Sequence, residues 1–553
     1  MSHPLFETHR ALIERALAAI AARTYWSAFA ESPSPKVYGE GAAEAGKAAF
    51  DALRDKPFDR EGNVAARTGS ERSPFGFDLG ITYPAQDLDS LFVAVGKAQQ
   101  AWRKAGPETW VGVCVEILSR LNQQSFLIAN AVMHTTGQAF MMAFQAAGPH
   151  AQDRGLEAVA YAYDQMRRVP SDAQWEKPQG KNPPLKMHKR YRVVPRGIGL
   201  VIGCATFPTW NGYPGLFASL ATGNAVIVKP HPGAILPLAI TVSVARDVLR
   251  EAGFDPDVVT LVAHNAGDDT AQALALRPEV RLIDFTGSST NGDWLERHAR
   301  QASVFTEKAG VNQVIVDSTD DLPGLARNLA FSLSLYTGQM CTAPQNIYIP
   351  AGGIDTGDGH RSFDQVAGAI ADAVHALLAD PARAVEILGA VHSDAVAARI
   401  GEARKLGTTL LDSVPLVHPQ YPHARIHTPL IVKVDAKQAA SYLREWFGPI
   451  AFVVATRDTT HSLAIAAAAV REQGALTLSV YATDDKVVDA AIELAEREGV
   501  ALSINLTGGV FVNQSAAFSD YHGTGANPAA NAALTDAAFV ASRFRVVQHR
   551  MHA

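Results

Sequence analysis

Cysteine is scarce in this chain of 553 residues, which has only Cys114, Cys204 and Cys341. Three thiols cannot form the disulfide framework of a small secreted domain. A sparse, odd count instead favours a reducing compartment in which one thiol can be catalytic. The sequence also lacks Cys and His pairs at the spacing of a zinc site, so we expect no bound metal.

Long apolar segments are absent as well. No run approaches the roughly 18–20 apolar residues that cross a bilayer, and the N-terminal stretch carries Glu7 and Glu14, which interrupt any signal-like apolar core. Charge of one sign is nowhere concentrated, since 49 Lys and Arg oppose 55 Asp and Glu. These absences argue against nucleic-acid and membrane partners and predict a cytoplasmic protein.

The composition is that of a globular enzyme, with 47% hydrophobic residues, 43 Gly and 30 Pro. A chain of this length exceeds one hydrophobic core, so two or three lobes are expected. Residues 11–22 and 43–53 predict helices, and residues 31–85 otherwise predict loops. Helical periodicity dominates residues 87–166. A polar, Pro-containing break (KPQGKNPPLK) then precedes a basic strand that ends at Pro195.

The hydrophobic period changes after Pro195. Short β-branched runs now alternate with helix-length segments, which predicts a parallel, doubly wound sheet. The four runs are GLVIG, AVIVK, VVTLV and VRLIDF. Further short strands, from Val314–Val316 to LTLSVYA, predict a second α/β lobe, and FVASRFRVVQH predicts a last strand near the C-terminus.

The sharpest local pattern is YTGQMCTAP around Cys341, a polar and turn-like setting. A buried free cysteine is more often a small core residue than a nucleophile. We assign that ordinary role to Cys114, which lies on the apolar face of a helix. Because the reactive form is the thiolate, backbone amides at a helix start would make Cys341 a useful nucleophile by lowering its pKa.

Two further patterns carry candidate chemistry. In VFTEKAGVNQVIV, Glu307 precedes an apolar strand. Such a Glu is usually a solvated edge residue, but partial burial would raise its pKa towards the range of a general base. FTGSSTNG follows one strand and opens a helix, so Gly287 and Gly292 would let backbone amides approach a pyrophosphate. Their spacing differs from the dinucleotide fingerprint.

Together these patterns resemble the aldehyde dehydrogenase superfamily, which carries an F-T-G-S turn, an E-L-G-G-K-N type Glu motif and a G-Q-x-C nucleophile motif. LATGNAVIVKP resembles its G-N-x-x-x-x-K-P signature, REWFGPI its E-x-F-G-P motif, and GGVFVN (508–513) its return strand. The resemblance implies an α/β fold with a doubly wound parallel cofactor-binding domain, an α/β catalytic domain and a small β bridging or oligomerisation element.

The resemblance also implies a domain order and an assembly. Strands at His188–Val194 and Phe544–Arg550 resemble the family's bridging strands, which would be unpaired edges in a monomer. We therefore expect a homo-oligomer, either a dimer or a dimer of dimers. The expected divisions are an N-terminal extension (1–86), helices and a dinucleotide-binding domain with a bridging strand near 186–194 (87–306), a catalytic domain (307–508), and a return segment with a C-terminal oligomerisation strand (509–553).

By this resemblance, Cys341 attacks the aldehyde to give a thiohemiacetal, hydride leaves for a nicotinamide, and Glu307 activates water to hydrolyse the thioester. At the position of the family's oxyanion asparagine the chain has Thr206, whose hydroxyl can still donate one hydrogen bond. Asn211 is the competing oxyanion donor. The expected cofactor-binding residues are Lys229, His231, Gly287, Ser288, Gly292, Glu445 and Phe447.

The chain departs from the family pattern at two further places. Lys308 and Ala309 replace Leu and Gly in the Glu motif. Pro232 stands where the family often has an acidic residue that binds the adenine ribose. Without that carboxylate, and with Lys229 and a protonated His231 beside it, we hypothesise that NADP is accepted and preferred over NAD.

ATFPTWNGYP, the long N-terminal segment and the HGTGANPA ending are most similar to the phenylacetic acid degradation branch of the superfamily. That branch implies a CoA-linked substrate, 3-oxo-5,6-dehydrosuberyl-CoA semialdehyde. A general or a CoA-acylating aldehyde dehydrogenase is an alternative, although retention of Glu307 argues against a CoA acceptor. A non-catalytic binding protein of the same fold is another, opposed by retention of Cys341 and Lys229.

Overall fold

The computed structural model describes residues 3–58, 66–308 and 310–553. Part of the expected 31–85 loop region, residues 59–65, and Ala309 of the Glu motif lie outside the described residues. The N-terminal region forms both expected helices, and the first of them begins earlier than its periodicity indicated. The elements are α1 (Pro4–Ala22), α2 (Pro35–Tyr38), α3 (Ala42–Leu53), β1 (Arg67–Thr68), β2 (Arg72–Ser73), β3 (Phe77–Asp78) and β4 (Tyr83–Pro84).

The helical region expected after residue 87 is confirmed. Its helices pack against α1 and against the first helix of the following sheet, and a π-helical turn at Ala146–His150 joins the last two of them. Cys114 is fully buried on α5, as expected of a core residue. The helices are α4 (Leu88–Trp102), α5 (Pro107–Gln123), α6 (Ser125–Thr136), α7 (Phe140–Gln145) and α8 (Ala151–Arg167).

The polar break predicted at KPQGKNPPLK is wrong, because this segment forms the tip of a β-hairpin. β5 (Asp172–Gln179) pairs antiparallel with β6 (Asn182–Pro195). Pro183 and Pro184 indicated a loop because proline is rare inside a sheet. They stand near the tip, beyond the residues of β6 that pair with the C-terminal strand, so a missing N–H breaks no ladder on that side.

The predicted doubly wound sheet is confirmed. Five parallel strands lie in the order β11-β10-β7-β8-β9, with helices between them. β7 and β8 are buried throughout, as expected for central strands of a sheet covered on both faces. The elements are β7 (Ile198–Ile202), α9 (Pro208–Ala221), β8 (Ala225–Lys229), α10 (Leu236–Glu251), β9 (Val259–Leu261), α11 (Thr270–Ala275), β10 (Val280–Thr286), α12 (Ser289–His298) and β11 (Ser303–Glu307).

The second α/β lobe is also present. Its seven strands lie in the order β17-β20-β21-β14-β12-β22-β23, and only β17 runs antiparallel to its neighbour. The elements are β12 (Gln313–Val316), β13 (Ser318–Thr319), α13 (Leu322–Ser334), β14 (Asn346–Pro350), β15 (Ile354–Thr356), β16 (Gly359–Arg361), α14 (Phe363–Leu377), α15 (Pro381–Leu388), α16 (Asp394–Ala403), β17 (Thr408–Leu411), β18 (Pro415–Leu416), β19 (Ile426–His427), β20 (Leu430–Asp435), α17 (Ala439–Tyr442), β21 (Ile450–Thr456), α18 (Thr459–Gln473), β22 (Thr477–Tyr481), α19 (Asp485–Glu498) and β23 (Ala501–Ile504).

The C-terminal segment returns to the first sheet with little regular structure. GGVFVN (508–513), expected as a strand, forms turns instead. FVASRFRVVQH is a strand only from Phe544, because its first residues belong to a short helix. The elements are α20 (Ala537–Ala541) and β24 (Phe544–His552), which pairs antiparallel with β6.

A buried ion pair anchors this segment. Arg543 donates two hydrogen bonds, of 2.8 and 2.6 Å, to the Asp284 carboxylate on β10.

Among the described helices, none is both long and apolar enough to cross a membrane.

Candidate active site

A cleft of about 540 Å³ opens at the carboxyl ends of β7, β8 and β10, where it faces the second lobe. This is where parallel α/β sheets usually bind ligands, and the volume is in the range of a ligand site. Nine of the ten site residues expected from the sequence line it: Thr206, Lys229, His231, Gly287, Ser288, Glu307, Cys341, Glu445 and Phe447.

Gly292 is the exception. It is buried inside α12, and a side chain there would come within 2.5 Å of the Lys308 stem. The small size of Gly292 therefore makes room for a neighbouring side chain, and its expected role at a pyrophosphate stays a prediction. Lys308 ion-pairs with Asp293 and Glu296 at 2.8 and 3.3 Å, so this departure from the family motif joins α12 to the end of β11.

The loop that carries Cys341 begins with strained backbone and is held in place by hydrogen bonds from Asn312. Tyr336 and Thr337 both have a positive φ of 51°, which non-glycine residues rarely adopt. Gly338 follows in the same region, and a Cβ there would lie 2.6 Å from the Gly448 carbonyl oxygen. Asn312 donates hydrogen bonds of 2.7 and 3.0 Å to the carbonyl oxygens of Cys341 and Ala343.

Cys341 lies in a turn, as its polar, turn-like setting indicated, and no helix begins at this residue. The expected lowering of its pKa is wrong. Desolvation and the neighbouring Glu307 carboxylate raise the pKa of the Cys341 thiol well above its ordinary value. A second negative charge beside a carboxylate is unfavourable, so the thiolate needs a cation or another proton acceptor nearby.

Glu307 ends β11 and is 3% exposed. The sequence predicted a raised pKa from burial. Burial does act in that direction, but the pKa of Glu307 is lowered overall by His522, Cys341 and Asn211. The Asn211 amide donates a hydrogen bond of 3.0 Å to Glu307 Oε2. A group held in its carboxylate form can accept a proton from water without first being deprotonated.

His522 is the residue of this site that the sequence did not reveal. It is 4% exposed, and its Nε2 lies 3.7 Å from Cys341 Sγ and 3.2 Å from Glu307 Oε1. His522 begins the HGTGANPA pattern, which indicated only similarity to one branch of the family. Nothing in that pattern connects the imidazole with the cysteine, because the loop lies 181 residues after it. Only the path of the C-terminal segment brings the imidazole to the thiol.

The loop around His522 is tied to the body of the protein on several sides. The His522 backbone exchanges two hydrogen bonds with Leu534, of 2.9 and 2.8 Å, and Ala530 forms a β-bridge with Glu307. Arg154, buried on α8, donates to the Asp520 carbonyl oxygen at 2.9 Å. The imidazole also meets the Trp210 ring edge-on, with the ring centroids 4.6 Å apart.

Both oxyanion candidates lie where α9 begins. Thr206 precedes the helix, and its carbonyl oxygen accepts a hydrogen bond of 2.8 Å from the Gln138 side chain. Asn211 lies within the first turn and has committed one amide N–H to Glu307. Both line the same cleft as Cys341. The position of Asn211 adds a role that the sequence did not suggest, which is orientation of the carboxylate.

At the other end of the cleft, Lys229 ends β8 with 6% exposure, and burial lowers its pKa to about 8. No described carboxylate forms an ion pair with it. Ser288 caps the N-terminus of the ten-residue helix α12, which presents backbone N–H groups to an anion. A buried cation and a helix N-terminus are features that fit the ribose and phosphates of a dinucleotide.

His231 lines the same end. Burial, together with His392, Lys229 and His264, lowers the pKa of His231 to about 3. The expected protonated imidazole is therefore wrong, because His231 is neutral at neutral pH. Asp268 and Asp269 line this end as well, which adds negative charge that the sequence interpretation had not placed there.

A model of the aldehyde dehydrogenase family matches residues 82–525. The chain belongs to this family. The expected α/β fold is thereby confirmed, as is the assignment to an oxidoreductase class. The phenylacetic acid branch receives no such support, because the matching family model is the general one.

Several known proteins resemble this aldehyde dehydrogenase. A crystal structure of an NAD-dependent aldehyde dehydrogenase from Burkholderia multivorans is 66% identical, covers 100% of both chains and has a TM-score of 0.99. N-succinylglutamate 5-semialdehyde dehydrogenase of Burkholderia multivorans is 26% identical over 71% of this chain and 77% of its own length. A mutant 1-pyrroline-5-carboxylate dehydrogenase of Thermus thermophilus, 19% identical, covers 96% and 99% of the two chains with a TM-score of 0.73 and shows the fold alone.

Proposed function

We propose that this enzyme oxidises an aldehyde to the carboxylic acid with NAD(P), through a thioester on Cys341. The observation that carries the proposal is the pairing of Cys341 and Glu307 at one end of a cleft. The other end of that cleft offers Lys229 and a helix N-terminus. A nucleophile, a base and an anion site in one cavity match the needs of this reaction.

The chain's own residues account for both covalent steps. Cys341 Sγ attacks the carbonyl carbon, and the oxyanion accepts hydrogen bonds from the Thr206 hydroxyl, with Asn211 as the alternative donor. The nicotinamide cofactor, when bound, supplies the acceptor for the hydride. Glu307 then takes a proton from water, whose oxygen attacks the thioester carbon. The C–S bond breaks to release the acid and the Cys341 thiolate, which takes the proton back from Glu307.

The cofactor is held by residues from both lobes. Lys229 and Ser288 would bind the adenine ribose and the pyrophosphate, while Glu445 and Phe447 would bind the nicotinamide ribose. These four line the same cleft. We propose that both NAD and NADP are accepted and that NAD is favoured. The neutral His231 offers no charge to a 2′-phosphate, and the 66% identical relative is named NAD-dependent.

Two substrate classes are compatible with this chemistry. The similarity to the phenylacetic acid degradation branch favours the ring-opened CoA thioester, 3-oxo-5,6-dehydrosuberyl-CoA semialdehyde. The names of two curated relatives, N-succinylglutamate 5-semialdehyde dehydrogenase and 2-aminomuconic 6-semialdehyde dehydrogenase, instead favour semialdehydes that carry a free carboxylate. Both classes are anionic semialdehydes, and they differ in whether CoA is attached.

We also propose a homo-oligomer that assembles through the sheet β24-β6-β5. β24 is solvent-exposed along nearly its whole length, and its outer edge has no strand partner among the described residues. Such an edge invites pairing with a second copy. Light scattering should give at least twice the chain mass of 59.0 kDa, and a monomer at assay concentration would contradict this proposal.

Reduced-cofactor formation across a panel of aldehydes, with CoA-linked and free-acid semialdehydes side by side, tests the activity and identifies the class. Cys341→Ala should lower the rate by about 10³-fold or more because no thiol remains to form the adduct. Its cofactor affinity, measured by calorimetry, should be unchanged. Cys114→Ala is the thiol control, since Cys114 is buried away from the cleft. Equal rates for Cys341→Ala and the parent would refute the nucleophile assignment.

A further inference from the structure

His522 has no role in the steps proposed above, yet it is the group nearest to both reacting side chains. Its Nε2 makes a hydrogen bond of 3.7 Å with Cys341 Sγ. Nε2 also lies 3.2 Å from Glu307 Oε1, but that oxygen has no well-aligned hydrogen-bond donor among the described residues. The imidazole Nε2 is therefore in contact with both the sulfur and the carboxylate, and its contact with the carboxylate contributes to the lowered pKa of Glu307.

The surroundings of Cys341 oppose a thiolate unless a positive group lies beside it. Glu307 is the neighbouring carboxylate, and Cys204 is a further thiol close enough to disfavour the thiolate. Arg154 does not fill the need. Its guanidinium lies on the Trp210 ring, 5.2 Å from the centroid, and is engaged with Glu157. Of the described titratable groups around the sulfur, His522 alone can become a cation in contact with it.

Glu307 is poorly suited to deprotonate the thiol itself. A proton taken from Cys341 would occupy the carboxylate that is needed later to activate water. His522 separates the two tasks, because its Nε2 can take the thiol proton while Glu307 stays ionised. The imidazole is also held in place, since the Trp210 ring contacts its edge and Leu534 fixes its backbone through two hydrogen bonds.

We propose that His522 is the proton acceptor for Cys341. The S–H bond breaks, the proton moves to Nε2, and the electron pair stays on sulfur, which gives an imidazolium–thiolate pair beside the Glu307 carboxylate. No oxidant or other reactant is consumed. This inference rests on the proposed nucleophilic role of Cys341 and adds a third member to its site. The imidazolium N–H then lies between two anions, which stabilises both.

The test measures thiolate reactivity without aldehyde or cofactor. The rate at which iodoacetamide alkylates Cys341 is recorded against pH, and the modified peptide is identified by mass spectrometry. A chelator is present throughout, because the Cys341, His522 and Glu307 donor atoms lie within 4.8 Å of one another and could hold a metal that blocks the sulfur. His360→Gln, on an exposed hairpin, serves as the histidine control.

His522→Gln should raise the pH midpoint of alkylation by about one unit or more, which lowers the rate at neutral pH about tenfold. Glu307→Gln should move the midpoint in the opposite direction, because it removes the adjacent negative charge. A purely structural role for His522 would lower the rate without moving the midpoint. An unchanged midpoint in His522→Gln, or a raised midpoint in Glu307→Gln, would overturn the proposal.

The unmutated enzyme provides a second readout that does not depend on the variants folding. If His522 and Cys341 form an imidazolium–thiolate pair, the thiolate reacts in two forms, one beside the imidazolium and one beside the neutral imidazole. The plot of alkylation rate against pH should therefore have two inflections. The lower one should fall below the ordinary thiol pKa of about 8.5. A single inflection at or above that value would overturn the proposal. Activity loss in Cys341→Ala is read from reduced cofactor, so failure of the function and failure of this inference are distinguishable.

Discussion

The two ends of the cleft are built in different ways. At the proposed cofactor end, Lys229 is the last residue of β8 and Ser288 follows the end of β10. Both strands belong to one parallel sheet, so the regular topology of that sheet brings the two residues to the same edge. At the catalytic end, Glu307, Cys341 and His522 come from three separate stretches of chain. The comparison indicates that the cofactor end depends on the regular topology of the sheet. The catalytic end instead depends on the contacts that position irregular segments against that sheet.

The two ends also differ in electrostatics. Near the proposed cofactor site, burial lowers the pKa of Lys229 and His231 and so weakens their positive charge. At the catalytic end, an ionised Glu307 sits beside a thiol whose pKa is raised. The first end therefore offers only a modest positive charge to a large anionic ligand. At the second end, the proposed proton transfer from Cys341 Sγ to His522 Nε2 covers less than 4 Å.

At the catalytic end, Glu307→Gln should have the largest effect on the rate of turnover. The variant keeps the shape of the site but cannot accept a proton from water, so we expect a burst of reduced cofactor followed by a steady-state rate about 10²–10⁴-fold below the parent. Rapid-mixing absorbance measures the burst, and protein mass spectrometry should detect the acyl adduct on Cys341. Turnover at the parental steady-state rate would exclude this role.

A smaller effect on the reaction rates should distinguish the two candidate oxyanion donors, Thr206 and Asn211. Thr206→Val removes a hydroxyl at constant shape and should slow the burst itself, by about 10²-fold. Asn211→Ala removes a hydrogen bond to Glu307 and should slow mainly the phase after the burst. Pre-steady-state kinetics of the two variants side by side provide the measurement. The reverse pattern would assign the oxyanion to Asn211.

The smallest effect concerns the cofactor end. The preference for NADP drawn from Pro232 relied partly on a charged His231, and the pKa of His231 excludes that charge at neutral pH. Asp268 and Asp269, which line the same end, would also repel a 2′-phosphate. We expect kcat/KM to favour NAD by about tenfold, or about 1.4 kcal/mol.

Kinetics with both cofactors and one aldehyde measure this ratio. Pro232→Glu should shift it further towards NAD, since a carboxylate both binds ribose hydroxyls and repels phosphate. A preference of the parent enzyme for NADP would restore the original hypothesis. An unchanged ratio in Pro232→Glu would place the discrimination at other residues.

Much of the fold could be predicted from the sequence because its signals are local. β7 and β8 are buried on both faces and therefore read as continuous apolar runs. The turn before α12 is marked by its glycine and by the capping Ser288. Errors arose where residues have local preferences that the fold overrides. Pro183 and Pro184 indicated a loop but lie in β6, and residues 508–513 have strand-like composition but form turns.

The sequence by itself determined much of the succession of strands and helices and singled out Cys341, Glu307 and Lys229 as candidates, because a period and a motif are properties of neighbouring residues. The tertiary structure alone decided the pKa directions of Cys341 and Glu307, since these depend on charges brought from elsewhere in the chain. It also decided the position of His522. No local pattern connects this loop residue with the cysteine. It reaches the sulfur because Leu534, Arg154 and the end of β11 hold its segment against the first sheet.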